Sequence, residues 1–189
     1  MAEILLFHHA QGQTSGFLAF AEGLRAAGHV VHAPDLYDGN TFAELDDGVG
    51  YARQVGFGAL LDAGVAAAEG LPAELVYGGF SLGVMPAQKL AQTRPGARGA
   101  LLFHACMPVS EFGSWPEGVP AQIHAMEGDE WFEEDSAAAR ALVAEVESAE
   151  LFLYPGTAHL FADGSLGDFD EAATALMKER VLAFLDTVG

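Results

Sequence analysis

The sequence predicts an α/β fold in which a mostly parallel sheet carries helices on both faces. Six short apolar segments alternate with longer segments of helical periodicity, which is typical of repeated strand–helix units. The strand segments are almost continuously apolar, as expected where helices cover both sides of a sheet. A length of 189 residues is ordinary for one domain with a full core, so we expect a single domain over residues 1–189.

The strands are predicted from short runs of aliphatic and aromatic residues that end at turn-forming residues. Pro34 stops the second run, and Gly79 closes the third. The predicted strands cover residues 4–8, 29–33, 75–79, 100–104, 121–126 and 151–154.

The helices are predicted from apolar residues that recur at spacings of three and four. Thr14 or Ser15 is the expected N-cap of the first helix, and Ser136 is a candidate cap of a later one. Gly56 should interrupt the second helical stretch. The predicted helical segments cover residues 17–28, 45–68, 84–93, 136–146 and 169–188.

The charge balance excludes two classes of partner. Eight Lys and Arg against 27 Asp and Glu give a formal net charge of −19. Phosphate backbones and anionic lipid surfaces are bound by clustered basic residues, so we expect neither a nucleic acid nor a membrane partner. A hydrophobic content of 51% is too high for a disordered acidic chain.

Cysteine usage and the amino-terminal sequence bear on location. The only cysteine, Cys106, excludes an intrachain disulfide framework and a CxxC site. The chain begins Met1-Ala2-Glu3-Ile4, without the basic segment of a signal peptide, and no apolar run approaches the length that spans a bilayer. We therefore expect a cytoplasmic protein.

A candidate nucleophile follows the third predicted strand. Gly79-Phe80-Ser81-Leu82-Gly83 is a G-x-S-x-G motif between a strand and a helix, where the serine sits on a tight, strained turn. Ser81 would project above the sheet, and the backbone N–H of Leu82 would point at the same place and stabilise an oxyanion.

A candidate acid and a candidate base follow later strands, in the chain order that this fold logic requires. Asp129 comes after the fifth strand, and His159 comes after the sixth. His159 would take the proton of the serine, and Asp129 would orient the imidazole. Glu130 and Glu127 are alternatives to Asp129.

The loop after the first strand completes the predicted site. Its amides at Ala10 or Gln11 would give the second oxyanion contact. His8 and His9 are adjacent on a strand and point to opposite faces, so we expect no metal there. The residues expected to line a substrate pocket are His9, Tyr37, Phe80, Met107 and Trp115.

With these motifs in order, the sequence resembles the dienelactone hydrolase type of α/β-hydrolase over essentially its whole length. The resemblance implies a compact α/β-hydrolase fold, a Ser/Cys–Asp–His triad, no metal or organic cofactor, and hydrolysis of a small ester or lactone. The length leaves no room for a cap domain. The matching segments are residues 8–12, Pro34-Asp35-Leu36-Tyr37, Gly79–Gly83, Gly128-Asp129, Tyr154-Pro155-Gly156 and His159-Leu160-Phe161.

The sequence departs from that family at three points. Ser81 stands where the namesake enzymes carry cysteine, His9 lies nearest to an absent glutamate, and only Arg53 lies near their carboxylate-binding arginines. We therefore expect a neutral acyl substrate, an ester, lactone or thioester. A non-turnover receptor and an acyltransferase are the alternatives, and the oligomeric state is left open between monomer and homodimer.

Overall fold

The computed structural model describes residues 1–189, and at its centre is a six-stranded sheet in which every pair of neighbouring strands is parallel. The sheet order is β2-β1-β3-β4-β5-β6. This is the predicted α/β-hydrolase class of sheet. The strands are β1 (Glu3–Phe7), β2 (Val30–His32), β3 (Val76–Phe80), β4 (Gly99–Phe103), β5 (Ala121–Met126) and β6 (Ala149–Tyr154).

Six helices connect and cover these strands. They are α1 (Ser15–Ala26), α2 (Leu45–Val55), α3 (Phe57–Ala66), α4 (Val84–Thr93), α5 (Glu130–Glu145) and α6 (Glu171–Val188). Two short 3₁₀ turns cover Ser81–Gly83 and Val109–Glu111. None of the helices is both long and apolar enough to span a membrane.

Side-chain alternation along the strands builds two cores, one on each face of the sheet. Ile4 and Leu6 of β1 pack against α1 and α6, whereas Leu5 and Phe7 pack on the opposite face with α4 and α5. This burial on both sides explains why the strand segments are almost continuously apolar.

The local signals at two helix ends are confirmed. Thr14 is the N-cap of α1, and its hydroxyl accepts a hydrogen bond from the N–H of Phe17. Gly56, at a φ of +96°, separates α2 from α3, so the predicted interruption lies where expected.

The predicted start of α5 at Ser136 is wrong. The helix begins at Glu130 with Asp129 as its N-cap, and the Ser136 hydroxyl donates instead to the carbonyl of Glu133 inside the helix. No helix was predicted over the dense acidic run before Ser136. Acidic side chains in a first turn stabilise the helix dipole, however, and Glu130 and Glu133 occupy those positions.

The strand order places a crevice at the carboxyl edge of the sheet. β1 lies between β2 and β3, so the chain runs outward in opposite directions from β1 and β3, and ligands bind at such switch points. The connection from β4 to β5 contains only the short turn at Val109–Glu111, and no cap domain covers this edge.

Candidate active site

Ser81 lies on a strained turn directly after β3. Its φ of +49° is in the left-handed region, which is uncommon for a residue other than glycine. A Cβ at position 79 would lie 2.0 Å from the carbonyl oxygen of Gly83, and one at position 83 would lie 2.6 Å from that of Phe7. Both glycines are therefore required for a turn this tight.

Ser81, His159 and Asp129 form a continuous hydrogen-bonded chain. Ser81 Oγ lies 2.8 Å from His159 Nε2, and His159 Nδ1 lies 2.7 Å from Asp129 Oδ2. Asp129 and His159 are buried, whereas Ser81 is half-buried. The structure thus brings together three residues that the sequence placed on three separate loops, with His159 between Ser81 and Asp129.

The ends of β5 and β6 hold the acid and the base together. Asp129 caps α5, and its Oδ1 accepts from the N–H of Trp131 at 3.0 Å while Oδ2 faces the imidazole. The N–H of Gly128 donates to the carbonyl of Gly156 at 2.9 Å, which joins the two loops. The carboxylate is fixed by the helix that it caps, so its second oxygen is aimed at His159.

The predicted oxyanion amides differ in availability. The Leu82 N–H lies in the first turn after the strand, where helical amides have no intrahelical partner. The N–H of Gln11 donates to His9 Nδ1 at 3.2 Å, while the N–H of Ala10 has no partner within the protein. Of the two alternatives in that loop, only Ala10 offers an unpaired donor.

A pocket of about 390 Å³ borders His159. The exposed Trp131 forms one wall, with its ring centroid 5.8 Å from that of His159. No lysine or arginine lines this space. The lining residues are Leu45, Gly128, Asp129, Glu130, Trp131, Thr157, His159 and Asp168.

Three of the predicted pocket residues are buried in the protein interior. Phe80 is buried between Phe103 and the helix α1, and Tyr37 is buried beside Tyr51. His9 is fully buried, and both of its ring nitrogens have partners inside the protein. Their strand-end positions suggested contact with substrate, but the side chains turn into the core.

Met107 and Trp115 lie elsewhere. Trp115 borders a groove of about 670 Å³ against α5, and the backbone of Met107 exchanges hydrogen bonds with the Gln88 side chain. Neither residue borders the pocket beside His159. A further cavity, of about 600 Å³, lies at the amino ends of the strands, and it includes none of the three hydrogen-bonded residues.

The Cys106 thiol is buried and unreactive, and the structure contains no cluster of metal-binding side chains. Burial raises the pKa of the Cys106 thiol to about 12, with a further contribution from the nearby Asp135, so the thiol is protonated. No group of three or more His, Cys, Asp and Glu side chains is placed to hold a metal ion.

Sequence reasoning missed two residues near the site. Trp131 stacks obliquely beside His159, in a segment that lies before the predicted start of the helix. Asp163 bonds to His9 at 2.8 Å across 154 residues of sequence. The Asp163-Gly164-Ser165 segment resembles an ordinary turn, and no local signal identifies its partner.

With this geometry established, comparison with known proteins assigns the chain to a family. The sequence model described as the dienelactone hydrolase family matches residues 2–189. The chain belongs to the dienelactone hydrolase family. It is therefore a hydrolase by family. No curated protein gives a significant sequence match.

Solved structures share the fold at low sequence identity. A Klebsiella pneumoniae protein assigned as a dienelactone hydrolase has a TM-score of 0.77 at 17% identity, covering 98% of this chain and 87% of that one. A dienelactone hydrolase-like promiscuous phosphotriesterase from metagenomic libraries gives 0.73 at 18%, covering 100% and 87%. Thermogutta terrifontis esterase 2, phosphonylated by cyclosarin, gives 0.65 at 19%, covering 96% and 82%.

Proposed function

We propose that this member of the family is a serine hydrolase that cleaves small, neutral carboxylic esters or lactones through an acyl-enzyme on Ser81. One observation carries the proposal. The Ser81 backbone is strained, and its hydroxyl is 2.8 Å from His159 Nε2. The other ring nitrogen of His159, Nδ1, is 2.7 Å from the buried Asp129 carboxylate. A serine needs such a base, and the base needs such an orienting group.

The proposed reaction has two similar halves. His159 accepts the Ser81 proton as Oγ attacks the substrate carbonyl carbon, and the amides of Leu82 and Ala10 bind the resulting oxyanion. Collapse of the intermediate breaks the ester bond, and the leaving alcohol takes the proton from His159. A water molecule then repeats the sequence, releasing the acid and restoring the Ser81 hydroxyl.

The charge of the pocket supports a neutral substrate. Glu130 and Asp168 line the space beside His159, and the formal net charge of the chain is −19. This space borders the imidazole and is not lined by Ser81. A substrate carboxylate that extended into it would find no basic partner and would be repelled by the surrounding field. The absence of such a partner disfavours an anionic dienelactone and favours uncharged acyl groups.

Turnover of chromogenic esters tests the proposal. The protein should hydrolyse p-nitrophenyl acetate, and it should hydrolyse the anionic p-nitrophenyl hydrogen succinate on the order of ten-fold less efficiently. Ser81→Ala should abolish turnover, whereas Ser110→Ala, at an exposed serine on the Val109–Glu111 turn, should leave it unchanged. Turnover that survives in Ser81→Ala would overturn the assignment of the nucleophile.

A further inference from the structure

A second His–Asp pair lies beside the proposed site. His9 Nε2 is 2.8 Å from Asp163 Oδ2, and both side chains are almost completely buried. His9 precedes the amides predicted to bind the oxyanion, and Asp163 follows His159 by four residues. The pair therefore connects the loop after β1 with the loop after β6.

The Asp163 carboxylate accepts four hydrogen bonds from the protein. Oδ2 accepts from His9 and from the Thr14 hydroxyl, and Oδ1 accepts from the N–H and the hydroxyl of Ser165. Burial alone would raise the pKa of Asp163, but the bonds from His9, Ser165 and Thr14 together lower it below the ordinary carboxyl value. The carboxylate is consequently ionised and fixed in place.

The hydrogen bonds also fix the tautomer of His9. The N–H of Gln11 donates to His9 Nδ1 at 3.2 Å, so Nδ1 carries the lone pair and Nε2 carries the proton that Asp163 accepts. The imidazole thus keeps the backbone N–H of Gln11 directed into the protein interior. The neighbouring Ala10 amide is left without an internal partner.

The close approach of the two loops depends on one small residue. A Cβ at position 16 would lie 1.7 Å from Asp163 Oδ1, so only glycine allows the start of α1 to meet the carboxylate. The N–H of Gly16 donates to the Ser165 hydroxyl at 3.1 Å. The amino end of α1 is thereby tied to the same cluster as the two loops.

We propose that His9 and Asp163 are a positioning pair, which holds the Gln11 amide inward and so assigns the Ala10 amide as the second oxyanion donor. The proposal rests on the serine hydrolase function proposed above. Neither side chain touches substrate. Their effect on the rate passes through the backbone of the loop after β1, and a displacement of about 1 Å at an active site costs about 100-fold.

Two substitutions at position 9 distinguish the hydrogen bond from the Gln11 N–H from the hydrogen bond to Asp163. His9→Asn places an amide oxygen near the position of Nδ1 and keeps an acceptor for the Gln11 N–H, whereas His9→Phe fills the volume and removes both bonds. We expect His9→Phe to lower kcat on p-nitrophenyl acetate by about 10- to 100-fold with little change in KM, because the lost contact strengthens only in the transition state. His9→Asn should retain kcat within about three-fold.

A thionoester provides a readout that general loss of structure does not change. The sulfur of a C=S group is a weak hydrogen-bond acceptor, so the ratio of kcat/KM for p-nitrophenyl acetate to that for its thionoester reports on the oxyanion donors. His9→Phe should lower this ratio about ten-fold. His32→Phe is the control, because it breaks a His–carboxylate pair of 2.7 Å between His32 on the edge strand β2 and Glu3 on β1. Its ratio should equal that of the wild type.

The outcomes separate this proposal from the proposed function. An unchanged ester-to-thionoester ratio in His9→Phe would overturn the positioning role, as would equal losses of kcat in His9→Asn and His9→Phe. If Ser81→Ala still turned over ester, the serine mechanism itself would fall, whatever the result at position 9. Where His9→Phe does not fold, the same ratio is measured for Asp163→Asn, and a ratio equal to that of the wild type would again overturn the pair's role.

Discussion

The molecule contains two buried His–Asp pairs of nearly equal length, and they differ in what the far imidazole nitrogen meets. In the first pair, His159 Nδ1 faces Asp129 at 2.7 Å and Nε2 faces the Ser81 hydroxyl. In the second, His9 Nε2 faces Asp163 at 2.8 Å and Nδ1 accepts a backbone N–H. The same two residue types are therefore built into two opposite arrangements.

The comparison supports different proposed roles for the two histidines, proton transfer for His159 and positioning of a backbone amide for His9. The far nitrogen of His159 meets a hydroxyl on a half-buried serine, whose proton it can exchange. The far nitrogen of His9 meets an amide proton, which no base of this strength removes. The two carboxylates also differ in the number of hydrogen bonds that they accept. Asp129 accepts two from the protein, whereas Asp163 accepts four.

Of the substitutions that break one of the two His–Asp pairs, Asp129→Asn should have the largest effect, and that effect is on kcat. Asp129→Asn should lower kcat for p-nitrophenyl acetate by about 10⁴-fold, because an amide no longer selects the reactive tautomer of His159. The melting temperature should change little, since Asn is nearly as good an N-cap as Asp and can still accept from the Trp131 N–H. Steady-state kinetics and calorimetry on the same sample measure both quantities, and a loss below ten-fold would contradict the proposed role.

Asp163→Asn should change the free energy of unfolding more, and kcat less, than Asp129→Asn does. The Asn side chain has one accepting oxygen, so it cannot accept from all four donors that surround the carboxylate. Its NH₂ group would face the donors at the other position. We expect the free energy of unfolding to fall by about 2 kcal/mol at pH 7. The rate should fall less than in Asp129→Asn. Urea denaturation monitored by circular dichroism checks the expectation, and a variant as stable as the wild type would contradict it.

The stability difference at Asp163 should also depend on pH. The pKa of this carboxyl is lowered in the folded protein, so its contribution is fully present above the ordinary value of 3.8 and is lost as the pH falls through and below that value. The gap in unfolding free energy between the wild type and Asp163→Asn should therefore be constant from pH 7 to about 5 and should narrow below about 4. A gap that widened in acid would show that the sign is wrong.

The smallest expected effect concerns a third buried histidine, which has no carboxylate partner. Both ring nitrogens of His104 lack hydrogen bonds, and the ring packs against Phe80 and Phe161. Burial, with the nearby His159, holds its pKa well below the ordinary value, so the ring is neutral. His104→Phe should raise the unfolding free energy by about 1 kcal/mol, because an unpaired polar group is removed. A loss of stability would contradict the unpaired state.

The sequence was sufficient to predict the sheet and to place Ser81, Asp129 and His159 after the third, fifth and sixth strands, at one edge of the sheet. Strands that are apolar on both faces, and motifs that follow them directly, are strong signals because topology brings the carboxyl ends of parallel strands to one edge. The geometry agrees with that placement, while the catalytic roles of the three residues stay predictions. Of the two amides that the sequence left open as the second oxyanion donor, the Gln11 N–H is engaged by His9 Nδ1 and the Ala10 N–H has no partner within the protein.

The sequence could not predict the surroundings of the site. His9, Tyr37 and Phe80 were expected to meet substrate because of their positions in the chain, but position on a strand end does not determine which way a side chain turns. Asp163 was missed because two of its hydrogen-bond partners, His9 and Thr14, are 154 and 149 residues away in the sequence. The acidic segment before Ser136 was left out of the predicted helix, since the helix-stabilising effect of acids in a first turn depends on where the cap lies.

Covalent labelling tests the central claim most directly. A fluorophosphonate probe reacts with an activated serine and stays attached to it, so intact-protein mass spectrometry followed by peptide mapping identifies the nucleophile. The account predicts one added label per chain, carried by Ser81, with no label in Ser81→Ala and strongly slowed labelling in Asp129→Asn. Labelling that persists in Ser81→Ala at the wild-type rate, or that maps to another residue, would contradict it.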